Sequence, residues 1–162
     1  MAKAKTITLR VNGRDESASV PPHRTLLEAL RLMGHADVKC GCEKGDCGVC
    51  AVLVDGMALD SCLMLAWACE GREITTVAGL GTSEAPHPLQ EALMNGGGIQ
   101  CGYCTPGMII AAKSLLDRNP DPTEDDIRFA LSGNLCRCTG YTKIFEAVTA
   151  AAAVLRGEGG GK

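Results

Sequence analysis

Aromatic side chains are scarce. Two Phe, two Tyr and one Trp are spread over 162 residues, so a core has to be assembled from Leu, Val, Ile and Ala. No apolar run is long enough to cross a bilayer, which takes about 20 residues; the longest near the end covers residues 150–155. There is no run of Lys or Arg and no interleaving of basic with aromatic residues, and the net charge is -3. Nucleic acid is therefore excluded as an expected partner. The N-terminal stretch M-A-K-A-K-T-I-T-L-R-V has neither an apolar segment nor a twin arginine, so the reading expects no secretion signal and a cytoplasmic protein. No Gly-x-Gly-x-x-Gly follows a strand, no Walker pattern occurs, and no nucleophile–base pair stands out. His23, His35 and His87 are scattered near turns and read as surface residues.

Cysteine, by contrast, is abundant, with ten in the chain. In a reducing compartment such a number points to metal or cluster ligation rather than to disulfides. Cys40, Cys42, Cys47, Cys50, Cys62 and Cys69 lie in the first half, and Cys101, Cys104, Cys136 and Cys138 in the second.

The punctuation of the chain changes between these halves. Residues 6–11 alternate polar and apolar and run into Asn12-Gly13, a hairpin turn, with a partner strand expected at 17–20. Thr25 and Glu28 form a capping box for a helix that runs to Met33 and ends at Gly34. After a glycine-rich loop, a second hairpin is expected at 51–59 around Asp55-Gly56, and a last strand at 74–77. Beyond a linker at 79–88 the signals become helical. Helices are expected at 88–94, from the N-cap Thr105 with Pro106 to about 117, from the capping box Thr123–Asp126 to Gly133, and over 143–155. A mobile glycine-rich tail follows. The reading is an α+β chain of two domains, residues 1–80 and 81–162.

Cys42-x4-Cys47-x2-Cys50, with Cys62 further on, has the plant-type 2Fe–2S spacing. Two irons bridged by sulfides need four thiolates, and Gly41, Gly45 and Gly48 let the loop backbone turn its N–H groups toward them. A structural zinc site or buried thiols would be the plainer alternatives, but zinc motifs rarely have a four-residue gap within a glycine-rich loop. Cys40 reads as a bystander thiol and Cys69, on an apolar stretch, as a core residue.

The second set is Cys101-x2-Cys104 with Cys136-x-Cys138. Helix residues two apart do not face one another, and a strand would need Arg137 buried or at an edge. Gly133-Asn134 and Thr139-Gly140 flank the pair with turn formers, so an irregular loop turning both sulfurs inward is expected. Cys104 precedes a helix, whose free N–H groups and dipole favour thiolates. By spacing alone zinc stays open here.

Together C-G-C-E-K-G-D-C-G-V-C, S-C-L, Q-C-G-Y-C-T-P-G-M and G-N-L-C-R-C-T-G-Y resemble the iron–sulfur subunit of the molybdenum hydroxylases, the family of xanthine dehydrogenase, aldehyde oxidoreductases, carbon monoxide dehydrogenase and 4-hydroxybenzoyl-CoA reductase. The likeness covers residues 6–154, and Cys40 departs from it. It implies a plant-ferredoxin-like β-grasp domain followed by a four-helix 2Fe–2S-binding domain. It implies a large partner chain with molybdopterin, as the cytosine dinucleotide in many bacteria, and a medium one with FAD, in a heterotrimer or a dimer of heterotrimers. It implies an electron path from molybdopterin through the Cys101, Cys104, Cys136 and Cys138 cluster to that of Cys42, Cys47, Cys50 and Cys62, then to flavin. Gln100 and Cys138 are implied to approach the pterin, and the substrate site to lie in another chain. The competing expectations are an independent ferredoxin-like carrier and a zinc-stabilised interaction module.

Overall fold

The computed structural model describes residues 3–158; the last residues of the glycine-rich tail, 159–162, lie outside them. The first half is a five-stranded sheet crossed by one helix. Strands β1 (Lys5–Val11) and β2 (Arg14–Val20) pair antiparallel, joined by Asn12 and Gly13. Both turn residues have positive φ, 51° and 76°, the geometry that matches the twist of a tight hairpin. The hairpin β3 (Ala51–Val54) and β4 (Met57–Asp60) is built alike on Asp55 and Gly56, at φ 49° and 82°. Strand β5 (Glu73–Thr75) joins the two, parallel to β1 and antiparallel to β3, so the sheet order is β2-β1-β5-β3-β4.

Helix α1 (Leu26–Leu32) covers one face. Its capping box is present: the Glu28 N–H donates to Thr25 Oγ1 at 3.2 Å, and the Thr25 N–H to Glu28 Oε2 at 2.9 Å. Alternation along β1 turns Ile7, Leu9 and Val11 inward against Leu26, Leu27, Leu30, Val52, Val54 and Ile74. Cys69 is fully buried in this core. Each such aliphatic side chain contributes about 1.5–3 kcal/mol on burial.

The last strand is shorter than the expected 74–77. Thr76 leaves the ladder because the Asn12 side chain captures it: the Thr76 N–H donates to Asn12 Oδ1 at 2.9 Å, and Asn12 Nδ2 donates to Thr76 Oγ1 at 3.0 Å. A short 3-10 turn, Val77–Gly79, follows. Two further 3-10 turns, Ser61–Leu63 and Ala66–Cys69, lack a strong periodic signal in the sequence.

Among the described residues four helices make the second half: α2 (Pro88–Asn95), α3 (Thr105–Arg118), α4 (Glu124–Leu131) and α5 (Thr142–Leu155). They enclose a core of Leu89, Leu93, Met108, Leu116, Ile127 and Ile144, among others. Helix α3 starts one residue earlier than the expected Thr105 cap: Cys104 is the N-cap, has helical backbone angles, and accepts from the Met108 N–H at 3.1 Å. Helix α3 also lies on the sheet face opposite α1, where Ile110 packs with Ala51 and Leu53. That double cover explains why β3 reads as an unbroken apolar run: all its residues are buried. The Ser114 hydroxyl accepts from the Ala58 N–H at 3.3 Å, closing part of the β4 edge. Among the described residues no helix is long and apolar enough to cross a membrane.

Candidate metal centres

The chain between α1 and β3 has no regular element, and its course depends on residues that accept positive φ: Glu43 at 57°, Gly45 at 83° and Gly48 at 69°. These angles turn main-chain N–H groups toward sulfur. Cys42 Sγ accepts from Asp46 N at 3.2 Å and from Lys44 N at 3.5 Å. The Lys44 N–H is the largest cause that draws the Cys42 thiol down to about 7, and the Cys47 thiol adds to it. Cys50 is buried in contact with Cys62, and burial pushes its thiol up to about 12. Cys62 rides on the Ser61–Leu63 turn, which is pinned to the loop by the Ser61 hydroxyl donating to the Cys50 carbonyl at 2.7 Å. The thiols thus arrive in twos, Cys42 with Cys47 and Cys50 with Cys62.

Cys40 is directed elsewhere. Its thiol lies 2.7 Å from Glu43 Oε1 and is raised by that carboxylate. Its carbonyl accepts from the Tyr103 hydroxyl, a contact with the second half of the chain.

The second set also forms two pairs. Cys138 Sγ and Cys101 Sγ are 3.7 Å apart and exposed. Cys104, at the start of α3, hydrogen-bonds with Cys136, and both are half-buried. Burial, then Cys136, drives the Cys104 thiol up to about 12. Burial works the same way on Cys136, yet that thiol ends at about 7, drawn down by the Thr139 hydroxyl and nearby main-chain N–H groups. The Cys136-Arg137-Cys138 loop is irregular, with Arg137 exposed. Gln100 is exposed one residue before Cys101.

Residues invisible as site residues in the sequence shape this loop. Tyr141, at φ 70°, is the N-cap of α5. Its hydroxyl accepts from the Cys136 N–H at 2.8 Å, and its own N–H donates to Thr139 Oγ1 at 3.2 Å. The two cysteine loops are also tied together. The Leu135 N–H donates to the Cys47 carbonyl at 3.0 Å, and Asn134 Nδ2 donates to the Gly48 carbonyl at 3.0 Å. Asn134 and Thr139 were legible as turn formers flanking the cysteines; nothing local signals that Asn134 reaches Gly48 or that Tyr141 holds the Cys136 N–H.

Among the described residues, no three His, Cys, Asp or Glu side chains converge on a single ion. All ten cysteines are free. Four thiols grouped in twos, with main-chain N–H groups aimed at sulfur, suit the donor set of a two-iron cluster, which takes four cysteine thiolates.

Two family models cover most of the chain. Residues 9–78 match the 2Fe-2S iron-sulfur cluster binding domain, and residues 76–149 match the 2Fe-2S binding domain. The chain is 48% identical over 144 residues to the nicotinate dehydrogenase small FeS subunit of Eubacterium barkeri, covering 88% of this chain and 92% of that one. Its structure is similar to quinoline 2-oxidoreductase from Pseudomonas putida 86, with a TM-score of 0.90 at 43% identity, covering 97% of this chain and 99% of the matched chain. The aldehyde oxidoreductase of Desulfovibrio desulfuricans matches with a TM-score of 0.91 at 43% identity over 95% of this chain, but only 17% of its own length. A fold this similar thus occurs both as a chain of this size and within a much longer one. The chain belongs to the small iron–sulfur subunits of the molybdenum hydroxylases, oxidoreductases in which such a subunit transfers electrons.

Proposed function

We propose that Cys42, Cys47, Cys50 and Cys62 hold one 2Fe–2S cluster, and that Cys101, Cys104, Cys136 and Cys138 hold a second. The chain then relays electrons between molybdopterin, as its cytosine dinucleotide, in a large partner chain and FAD in a medium one. The partners and this chain form a heterotrimer or a dimer of heterotrimers in the cytoplasm, where free thiols persist. The division of labour follows the cores: residues 1–80 carry the first cluster and residues 81–162 the second.

One observation carries this reading. The thiols lie in pairs, Cys42 with Cys47, Cys50 with Cys62, Cys101 with Cys138 and Cys104 with Cys136, on loops that touch through the Leu135 to Cys47 hydrogen bond. A 2Fe–2S cluster, when bound, takes up and returns one electron at a time. The protein supplies the rest. Main-chain N–H groups of Lys44 and Asp46 offset negative charge at Cys42, while burial of Cys50 and Cys62 excludes water from one side. The exposed pair Cys101 and Cys138, with Gln100 beside it, is the face offered to the pterin chain. The buried contact between loops leads the other way.

The test is metal and cofactor analysis of the complex purified with its natural partners. The expected result is about four irons and as many acid-labile sulfides per copy of this chain, with molybdenum and flavin in the associated chains. Stoichiometric zinc without iron or sulfide would overturn the cluster assignment. Isolation with clusters but no larger partner would leave an independent carrier instead.

A further inference from the structure

We propose that the Thr139 hydroxyl sets the reduction potential of the second cluster relative to the first, by donating a hydrogen bond to the Cys136 sulfur; this rests on the ligand assignment above. Thr139 Oγ1 lies 3.1 Å from Cys136 Sγ. A thiolate ligand carries no proton, so the hydroxyl is the donor, and its neighbour fits that direction. The Tyr141 N–H donates to Thr139 Oγ1 at 3.2 Å, occupying an acceptor position and leaving the hydroxyl proton for the sulfur.

The arrangement is held from outside the loop. Tyr141 has positive φ, 70°, a conformation that side-chain-bearing residues seldom adopt without outside support. That support is present: its hydroxyl accepts from the Cys136 N–H at 2.8 Å, and its ring stacks on Phe145 with centroids 6.0 Å apart. Arg128 covers the Phe145 ring at 4.7 Å. The Tyr141 hydroxyl also occupies the Cys136 main-chain N–H, and Cys104, as a thiolate ligand, would have no proton to donate, so the Thr139 hydroxyl is the side-chain donor to that sulfur.

The first set is served differently. Cys42 receives main-chain N–H groups, and among the described residues no hydroxyl side chain donates to a sulfur there. A donor beside a thiolate ligand favours the state with more negative charge, which is the reduced one. The threonine therefore raises the potential of the second cluster alone. Because its partner is a half-buried sulfur rather than an exposed one, little water competes for the bond.

The experiment is a potentiometric titration of the intact complex with dithionite, following the two paramagnetic signals of the reduced clusters. Thr139→Val is expected to lower the midpoint of one signal, by about a tenfold change in its oxidised-to-reduced ratio at the wild-type midpoint. For a one-electron couple this is about 59 mV. The other midpoint should stay in place, and Thr139→Ser should restore the wild-type value. Two signals with unmoved midpoints in Thr139→Val, or an equal shift of both, would overturn the proposal. If valine prevents loading, Thr139→Ala is read in the same way; loss of the cluster in both variants would show a structural hydroxyl and overturn the tuning role. Failure of the ligand assignment looks different: the wild-type complex itself would then lack one of the two signals.

Discussion

Asn134 Nδ2 donates to the Gly48 carbonyl at 3.0 Å, joining the two cysteine loops across 86 positions of sequence. The amide is buried, and so is the backbone it serves. The Gly48 carbonyl also accepts from the Ala51 N–H at 3.2 Å, so losing the amide removes one of its two bonds, at a cost of about 0.5–1.5 kcal/mol. Asn134→Ala should therefore lower the free energy of unfolding by that amount, read as a lower urea midpoint at unchanged slope. Asn134→Asp should do no better, because a carboxylate cannot donate to the carbonyl. Equal stability of the alanine variant and the wild type would show that the contact contributes nothing net.

Gly107 tests the same joint sterically. A Cβ placed there would lie 2.2 Å from the Gly48 carbonyl oxygen and 3.0 Å from Val49 Cα. Helix propensity alone favours Ala over Gly by about 1 kcal/mol inside α3. The collision is with backbone that cannot swing aside, so overpacking of about 1–3 kcal/mol decides the sign. Gly107→Ala is expected to destabilise, whereas Gly133→Ala, which meets nothing within 4 Å, should not. Thermal melts of both variants check the contrast.

Single ligand replacements separate the two thiol sets. Cys47→Ser and Cys104→Ser should each abolish a different one of two electron paramagnetic resonance signals in the dithionite-reduced protein. Cys40→Ser should leave both, because that thiol is engaged with Glu43. Loss of the first-set signal in Cys40→Ser would show that Cys40 is a ligand in place of one of the four.

Helix α2 carries a pH-dependent cap. His87 is its N-cap, with Nδ1 accepting from the Leu89 N–H at 3.2 Å, which requires a neutral imidazole nitrogen. Burial, then the Lys113 charge, lowers the His87 pKa, with Asp117 opposing. A depressed folded value means that the unfolded chain takes up the proton first. This contribution is complete above the unfolded value of about 6.5 and is lost as the pH falls through the folded one. His87→Asn keeps a capping acceptor without titrating, so the wild type should lose stability relative to it between about pH 7 and pH 5. Parallel urea midpoints for the two proteins over that range would remove the switch.

The chain's own spacing determined what is local. Cys42, Cys47 and Cys50 share one loop, where glycines at 45 and 48 permit the positive φ that turns N–H groups to sulfur. Hairpin turns and capping boxes were legible because each is closed by residues at most three or four apart, so Asn12-Gly13, Thr25 with Glu28, and Thr123 with Asp126 all announce their geometry. The start of α3 and the end of β5 were each misplaced by a residue or two. At β5 a distant partner took the backbone, Asn12 capturing Thr76; at α3 the cause is local, the turn carrying Cys101 and Cys104 running directly into the helix.

Only the tertiary structure decided which thiols face each other and what surrounds them. The spacing grouped Cys101 with Cys104 and Cys136 with Cys138, yet the sulfurs meet crosswise, Cys101 with Cys138 and Cys104 with Cys136. Neither that crossing nor the Asn134–Gly48 joint can be read from periodicity, because contacts between segments depend on how α3 seats against the sheet. Thr139 became a donor to sulfur, rather than a turn residue alone, once Tyr141 occupied its other side. Local sequence determines the conformations a segment can adopt; packing between distant segments selects the one that brings its polar groups into contact.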